Sequence, residues 1–219
     1  MEASALTKAS RVARTDARPV VVKLGGSVIR SPALAGWLDA IVARGARVVI
    51  VPGGGALADE VRSCQHQLGF GDASAHRMAL LAMDQLAWAV AGMRQELEVG
   101  ATEDELRAII EHGRIAVWAP YALISSRTDI EESWRLTSDS LALWLARKLD
   151  AESCYLIKSV VRQHARLGAR SLAAEGVVDE AFPAMLAETG VNAWLLGRGD
   201  EEALAASLAG NAPAGALIE

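Results

Sequence analysis

The feature that most constrains the fold of this chain is a pair of short apolar runs, each followed directly by glycines. Val20 to Leu24 is a continuous, largely β-branched run that ends before Gly25-Gly26, and Arg47 to Val51 is a second run that ends at Pro52 before Gly53-Gly54-Gly55. Apolar runs without polar alternation are typical of strands that are buried on both faces of a parallel sheet. The sequence therefore predicts a sheet covered on both sides.

Helical periodicity follows the predicted strands. Apolar side chains repeat at three and four residues from Ala33 to Arg44, and Gly45 stands where a helix C-terminal glycine is expected. Strands that alternate with helices imply right-handed βαβ connections, so the predicted fold class is α/β, a three-layer αβα sandwich with a mainly parallel central sheet. The remaining predicted helices are Ala56 to Leu68, Ser74 to Leu97, Ser140 to Leu149, Glu180 to Glu188 and Glu201 to Leu208, and the remaining strands are Ile115 to Val117, Cys154 to Ile157, Ala193 to Leu196 and Ala216 to Ile218.

Length and composition limit the domain organisation and the class of partner. A chain of 219 residues that is 52% hydrophobic is expected to build one core, so we predict a single domain over residues 19–219. Residues 1–18, rich in Ala, Ser, Thr and Arg, are predicted to be a disordered tail, with a transit peptide as the alternative. A net charge of −5 without a long Lys/Arg run argues against nucleic acid as a partner.

The apolar segments and the cysteines indicate a compartment. No apolar stretch reaches the roughly 20 residues that span a bilayer, so no membrane partner is predicted. Cys64 and Cys154 lie far apart without metal-ligand spacing and are expected to be reduced, as in a cytoplasmic protein. The apolar arc of the predicted helix Ser74 to Leu97 is broader than core packing requires, which leaves two interpretations, an interface in a homo-oligomer or ordinary core packing.

Both glycine segments follow strands, where ligands collect in open α/β sheets. Gly25 and Gly26 allow the backbone to approach an anion, Ser27 adds a hydroxyl donor, and Lys23 adds a positive charge. The segment Gly53 to Gly55 repeats the arrangement, and two adjacent anion sites suit the transfer of a phosphoryl group. The alternative is that each segment is only a tight turn. The P-loop pattern GxxxxGKS/T is absent, and GxGxxG does not occur in the right context.

A third group of candidate residues precedes the helix predicted from Ser140. Thr137 or Ser138 suits a helix N-cap and Asp139 suits its first turn, which is the structural interpretation. In the functional interpretation, Asp139 lies beside the glycine loops and holds catalytic lysines in place. Arg62 and Arg77 are candidates for binding an acceptor phosphate, with solvated helix arginines as the alternative.

These motifs together resemble the amino acid kinase superfamily. The resemblance rests on Lys-Leu-Gly-Gly-Ser at residues 23–27, Pro-Gly-Gly-Gly at 52–55 and Thr-Ser-Asp-Ser-Leu-Ala at 137–142. Ala75-His76-Arg77, Thr128-Asp129-Ile130, Ser133-Trp134, residues 178–183 and Asn192-Ala193-Trp194 make the chain similar to the (5-(aminomethyl)furan-3-yl)methyl phosphate kinases of methanofuran biosynthesis, which belong to one-carbon metabolism. The resemblance implies an αβα sandwich, ATP with Mg²⁺, and phosphorylation of a small phosphomonoester to a diphosphate.

The resemblance also implies residue roles. Lys23 is expected to stabilise the transferred group, Asp139 to organise the cations, and Gly25, Gly26, Ser27 and Ser138 to hold the nucleotide phosphates. The acceptor is expected to contact Gly53, Gly54, Gly55, Arg62, His76, Arg77 and Thr137. The histidines have no metal-ligand spacing, so no metal site built from protein side chains is predicted. Uridylate, isopentenyl phosphate or an amino-acid carboxylate as acceptor, or a non-catalytic homologue, are the alternatives.

Two further expectations come from chemistry and from a departure in sequence. An aminomethyl cation favours a carboxylate such as Asp84 or Asp129, and a furan ring favours an aromatic neighbour such as Trp134. Where family members carry an acidic Thr-Asp-Val-Asp-Gly stretch near the nucleotide, this chain has Ile157-Lys158-Ser-Val-Val-Arg. Lys158 is therefore expected to contribute a phosphate contact from that strand end.

Overall fold

The computed structural model describes residues 18–44, 47–160 and 165–219, and within these ranges eight strands form one sheet. The strands are β1 (Val20–Leu24), β2 (Val48–Pro52), β3 (Leu97–Gly100), β4 (Ile115–Trp118), β5 (Ser153–Ile157), β6 (Arg166–Leu167), β7 (Ala193–Leu196) and β8 (Ala216–Ile218). Their order is β3-β4-β2-β1-β5-β7-β8-β6. Paired strands are parallel except β7 and β8, which are antiparallel.

Helices connect the strands and cover both faces of the sheet. They are α1 (Gly26–Ile29), α2 (Ala33–Arg44), α3 (Gly55–Leu68), α4 (Asp72–Ala91), α5 (Glu103–Glu111), α6 (Tyr121–Ile124), α7 (Ser138–Lys148), α8 (Ala169–Ala174), α9 (Phe182–Thr189) and α10 (Glu201–Leu208). Gly45 and residues 1–17, which carry two of the sequence predictions, lie outside the described residues.

Two apolar cores lie on opposite faces of the sheet. Successive side chains of a strand point to opposite faces, so Val21 and Val22 belong to different cores. Val21 packs in the cluster that contains Leu143 of α7 and Phe182 of α9, whereas Val22 packs in the cluster that contains Trp37 of α2. This arrangement confirms the predicted three-layer αβα sandwich with a mainly parallel sheet.

The sequence prediction is wrong between residues 92 and 111. The helix predicted from Ser74 to Leu97 ends at Ala91, because the chain turns there and Arg94 pairs with Asp39 of α2 at 2.8 Å. Apolar Met93 and Leu97 continue the helical spacing, but Leu97 begins β3. The prediction also missed α5, although its capping box is present in the sequence as Thr102-x-x-Glu105.

The exposed face of α4 bears on the two interpretations of its apolar arc. Met78, Leu81 and Trp88 of α4, and Met93 just after the helix, keep between 38% and 68% of their surface exposed. Core packing therefore does not account for these four side chains, and a contact between copies of the chain remains a prediction. None of the described helices is both long and apolar enough to cross a membrane.

The sheet order determines where a ligand site is expected. Strand β1 lies between β2 and β5, so the chain first proceeds from β1 toward one edge of the sheet and later returns to β5 on the other side of β1. Such a switch point opens a crevice at the carboxyl ends of the two strands. Lys23 and Gly25 lie at this end of β1, and Lys158 follows β5.

Candidate active site

A cavity of about 380 Å³ opens at the carboxyl ends of β1 and β2. Its volume lies within the range of small-molecule sites, roughly 300–1,000 Å³. The predicted site residues that line it are Lys23, Gly26, Ser27, Gly53, Gly54, Gly55, Arg62, His76, Trp134, Thr137, Ser138 and Asp139. The sequence prediction missed other lining residues, among them Arg30, Asp59, Leu80, Met83 and Leu136.

A carboxylate between two ammonium groups lies at the base of the site. Asp139 Oδ1 lies 2.7 Å from Lys23 Nζ, and Lys158 Nζ donates a hydrogen bond to Asp139 Oδ2 at 2.8 Å. The Lys23 contact is an ion pair by distance without hydrogen-bond alignment. Lys23 and Asp139 are almost fully buried, at 3% and 5% exposure. The predicted proximity of Asp139 to lysines is therefore present, on the first turn of α7.

The balance of charges in this group shifts two pKa values. Burial alone raises the pKa of Asp139, but the charges of Lys23 and Lys158 outweigh burial and lower that pKa to about 2. Burial and the nearby charge of Lys23 lower the pKa of Lys158 to about 8, against the opposing attraction of Asp139. Two cations thus share one close anion in a site with little water. Val161 and Arg162, which follow Lys158 in the atypical stretch, lie outside the described residues.

The two glycine loops contact each other at the mouth of the crevice. A Cβ atom on Gly26 would lie 2.8 Å from Gly55 Cα, and one on Gly25 would lie 2.9 Å from the Ile157 carbonyl oxygen. Both neighbours are backbone atoms that have little room to move. Glycine at these positions therefore allows the strand ends and the loops to pack together.

The N–H groups of two of the predicted site glycines are already engaged. Gly25 N–H donates to the Ile157 carbonyl and Gly53 N–H donates to the Leu24 carbonyl, both at 2.9 Å. These two amides are therefore not available to a phosphate, and of the two residues only Gly53 lines the cavity, so its contact with a ligand stays a prediction. The first N–H groups of α1 and α3 have no partner within their helices, so Gly26, Ser27 and the Gly55 turn provide the available donors.

The outer wall of the cavity is formed by a stacked side-chain group. The guanidinium of Arg62 lies 3.9 Å above the centre of the Trp134 ring, and Trp134 Nε1 donates to Gln65 Oε1 at 2.6 Å. His76 is buried beside them. Burial lowers its pKa, against opposing effects of the Ser133 backbone and Glu132, and so favours the neutral ring.

Three predicted acceptor residues do not line the cavity. Arg77 pairs with Glu132 at 2.9 Å, and Asp129 pairs with Arg127 at 2.7 Å. Asp84 accepts a hydrogen bond from the Tyr121 backbone N–H at 3.1 Å. The expected contacts of Arg77, Asp84 and Asp129 with the acceptor are therefore corrected, because each side chain is held by a neighbour outside the lining.

Asp179 is a residue whose importance the sequence did not reveal, although residues 178–183 contributed to the resemblance. Its carboxylate accepts hydrogen bonds from both Thr137 and Ser140, which stand on either side of Ser138 and Asp139. About 40 residues of sequence separate Asp179 from these donors. No spacing pattern predicts such a contact.

Comparison with known proteins places this site in a family. The sequence profile described as the amino acid kinase family matches residues 18–161. The chain is 28% identical over 187 residues, 80% of this chain and 86% of the relative, to (5-(aminomethyl)furan-3-yl)methyl phosphate kinase of Methanocaldococcus jannaschii.

Solved structures agree in fold. Uridylate kinase from Archaeoglobus fulgidus superposes with a TM-score of 0.70 at 19% identity, over 92% of this chain and 100% of that chain. UMP kinase from Ureaplasma parvum superposes with a TM-score of 0.68 at 13% identity, over 93% and 99% of the two chains. The profile match, the fold and the glycine and Thr-Ser-Asp motifs agree with one another. The chain therefore belongs to the amino acid kinase family and is a kinase.

Proposed function

We propose that the chain transfers the γ-phosphoryl group of ATP to a small phosphomonoester, with (5-(aminomethyl)furan-3-yl)methyl phosphate as the first candidate acceptor. The observation that carries the proposal is the Lys23–Asp139–Lys158 group at the switch point of the sheet, beside two loops with available N–H donors. The named kinase of Methanocaldococcus jannaschii supports the choice of acceptor.

The chemistry assigned to the protein is positioning and electrostatic stabilisation. Phosphoryl transfer spreads negative charge over the oxygens of the transferred group, and enzymes stabilise this charge with fixed cations and N–H donors. Lys23 and Lys158 supply two ammonium groups, and Asp139 keeps them 2.7 and 2.8 Å from its own oxygens. In this proposal Asp139 acts as an organiser of the lysines and takes no proton from the acceptor.

The cavity lining offers groups for a phosphate, for an apolar ring and for a cation. The loops around Gly26 and Gly55, with Arg62, attract a phosphate. Leu80, Met83 and Leu136 form an apolar wall. Apart from Asp139, Asp59 is the carboxylate of the described lining, and its ion pair with Arg30, at 3.8 Å, is exposed to solvent. We therefore assign Asp59, rather than Asp84 or Asp129, to the aminomethyl cation.

The residues present fit ATP as the phosphoryl donor. The free N–H groups at the starts of α1 and α3, together with Lys23, fit the phosphates of ATP. Lys158 pairs with Asp139 and does not itself line the cavity, so its contribution in this proposal is a nearby positive charge. Among the described residues, no group of three or more His, Cys, Asp or Glu is placed to hold a metal ion. Mg²⁺ would therefore reach the site with the nucleotide phosphates, where it supplies further positive charge.

The test uses the purified protein with ATP, Mg²⁺ and the aminomethylfuran phosphate, followed by ³¹P NMR for the diphosphate and an assay for ADP. We expect turnover by the wild type, and we expect Lys23→Met to lose about 10²–10³-fold in kcat, as when one stabilising donor is removed. Lys148→Met changes an exposed residue at the end of α7 and serves as the matched control.

Two results contradict parts of this proposal. Conversion of UMP in preference to the furan phosphate at equal concentration would change the acceptor and keep the phosphotransferase. The proposed reaction would be refuted if no phosphomonoester gave a phosphorylated product and if the wild type and Lys23→Met released ADP at the same rate.

A further inference from the structure

Asp179 lies behind the cavity wall, in the segment between α8 and α9, and it does not line the cavity. We propose that Asp179 is a positioning residue for phosphoryl transfer, which ties both ends of the first turn of α7 so that Asp139 stays between Lys23 and Lys158. The inference rests on the proposed function, because Asp139, the residue that Asp179 positions, has its role in that transfer.

The contacts of the carboxylate define the tie. Asp179 Oδ2 accepts from Thr137 N–H at 2.9 Å, from the Thr137 hydroxyl at 2.9 Å and from Ser140 N–H at 3.0 Å. Asp179 Oδ1 accepts from the Ser140 hydroxyl. One side chain therefore satisfies four donors on the two residues that enclose Ser138 and Asp139.

Asp179 makes the N-terminal capping contact of α7 that Thr137, the N-cap residue, could make with its own side chain. Thr137 occupies the N-cap position of α7 in an extended conformation, and threonine is a favoured N-cap residue. Its side chain makes no capping hydrogen bond, because its hydroxyl donates to Asp179 instead. The N–H of Ser140, at the third helical position, is then satisfied by Asp179.

This replacement brings two carboxylates close together. Burial and the charge of Asp139 both raise the pKa of Asp179, against the hydrogen bonds from Ser140 and Thr137. A helix cap alone does not require a half-buried carboxylate whose pKa is raised by another one, since Thr137 has the right chemistry. The arrangement does hold the first turn of α7, which carries Asp139, from a point outside α7.

A small rotation of the first turn moves Asp139 relative to both lysines. Enzymes whose reacting groups are misplaced by about 1 Å lose roughly 100-fold in rate. Most of the proposed substrate contacts, those through the glycine loops and Arg62, come from other elements and stay in place, whereas Thr137 and Ser138 lie on the turn itself. The expected signature is therefore a loss of kcat that is much larger than the change in KM.

The test compares Asp179→Asn with the wild type. Asparagine keeps the size of the side chain, but it removes the negative charge and replaces one of the two acceptor oxygens with an NH₂ group, so the side chain no longer accepts at both positions. We expect kcat to fall by about 10–100-fold, with KM for ATP and for the acceptor within about twofold. Thr137→Val combined with Ser140→Ala removes two hydroxyl donors and keeps both backbone contacts, so a smaller loss of the same kind is expected. Glu180→Gln is the matched control, because Glu180 is an exposed neighbour that pairs with Arg135.

A second measurement does not depend on the acceptor. An amine-reactive reagent followed by mass spectrometry gives the labelling rate of Lys158, which reacts through its neutral form. Loss of the Asp139 contact favours that form, so Asp179→Asn and Asp139→Asn are both expected to label Lys158 several-fold faster than the wild type and Glu180→Gln.

The outcomes separate the two proposals. If the wild type phosphorylates no acceptor, the reaction is wrong, and Lys158 labelling alone decides whether Asp179 positions Asp139. If Asp179→Asn only unfolds more easily, while kcat and Lys158 labelling of the folded protein equal those of the wild type, the positioning role is overturned. A rise in KM without a fall in kcat also overturns it.

Discussion

Replacement of Lys158 by methionine is expected to make the protein more stable at pH 7 while it removes phosphoryl transfer. Lys158 is nearly buried, and burial together with Lys23 lowers its pKa from 10.5 to about 8. At pH 7 the folded protein therefore holds a proton on Lys158 less tightly than the unfolded chain does. Methionine of similar length carries no proton in either state, so the substitution removes this cost.

The size of the effect follows from the difference in pKa. The difference is about 2.5, and one unit corresponds to about 1.4 kcal/mol, which gives an upper estimate of about 3 kcal/mol. Asp139 loses one partner but keeps Lys23 at 2.7 Å. We therefore expect the free energy of unfolding to rise by about 1–3 kcal/mol at pH 7, where each kcal/mol raises Tm by roughly 2–4 °C in a protein of this size.

The dependence on pH identifies the cause. The folded pKa of Lys158 is lower than the unfolded one, so between about pH 8 and 10.5 the folded protein has lost the proton while the unfolded chain still holds it. Wild-type stability therefore rises with pH in this window and levels off once the unfolded chain loses the proton as well. The advantage of Lys158→Met is therefore expected to shrink by about 2 kcal/mol between pH 7 and pH 9.5.

Urea unfolding of both proteins at pH 7 and pH 9.5 measures this difference. Lys148→Met, at an exposed position, is expected to show no such change with pH. If Lys158→Met is less stable than the wild type at pH 7, and by the same amount at pH 9.5, the charge argument is refuted.

Two further predictions concern packing and the acceptor. Gly26→Ala is expected to lower the free energy of unfolding by about 1–3 kcal/mol, because its Cβ meets the backbone of Gly55. Gly36→Ala, on the exposed side of α2, is expected to raise the free energy of unfolding by roughly 0.5–1 kcal/mol. Thermal unfolding measures both changes, and equal effects of the two substitutions would contradict the Gly26–Gly55 contact. Asp59→Asn is expected to raise KM for the aminomethylfuran phosphate about two- to fivefold, which is the size of effect expected for an exposed ion pair. KM for an analogue without the amine is expected to stay unchanged, and equal KM changes for both substrates would reject Asp59 as the partner of the ammonium group.

The strands of the sheet centre were predictable because burial on two faces leaves a local signature. β1 and β5 are short apolar runs, and the structure places them within a residue or so of the predicted bounds. The glycine loops after β1 and β2 were predictable for a related reason, since a strand that ends in glycines turns sharply at the carboxyl edge. Lys23 and Asp139 were likewise recognised from short motifs.

The region from Met93 to Glu111 was not predicted, because its local pattern is ambiguous. Met93 and Leu97 continue a helical spacing, and only the contact of Arg94 with Asp39 on another helix shows that the chain has turned. β3 is short and carries an exposed Glu98, so it lacks the continuous apolar run of the central strands. The capping box before α5 was a usable signal.

The sequence by itself determined the alternation of strands and helices, the two glycine loops and the identity of the charged residues, because these depend on neighbours along the chain. Only the tertiary structure decided which charges meet. Lys158 reaches Asp139 because β5 lies beside β1, and Asp179 reaches Thr137 and Ser140 because α9 packs on α7. These contacts depend on the order of strands and the docking of helices, which are set by burial of the whole core and leave no trace in the local spacing of residues.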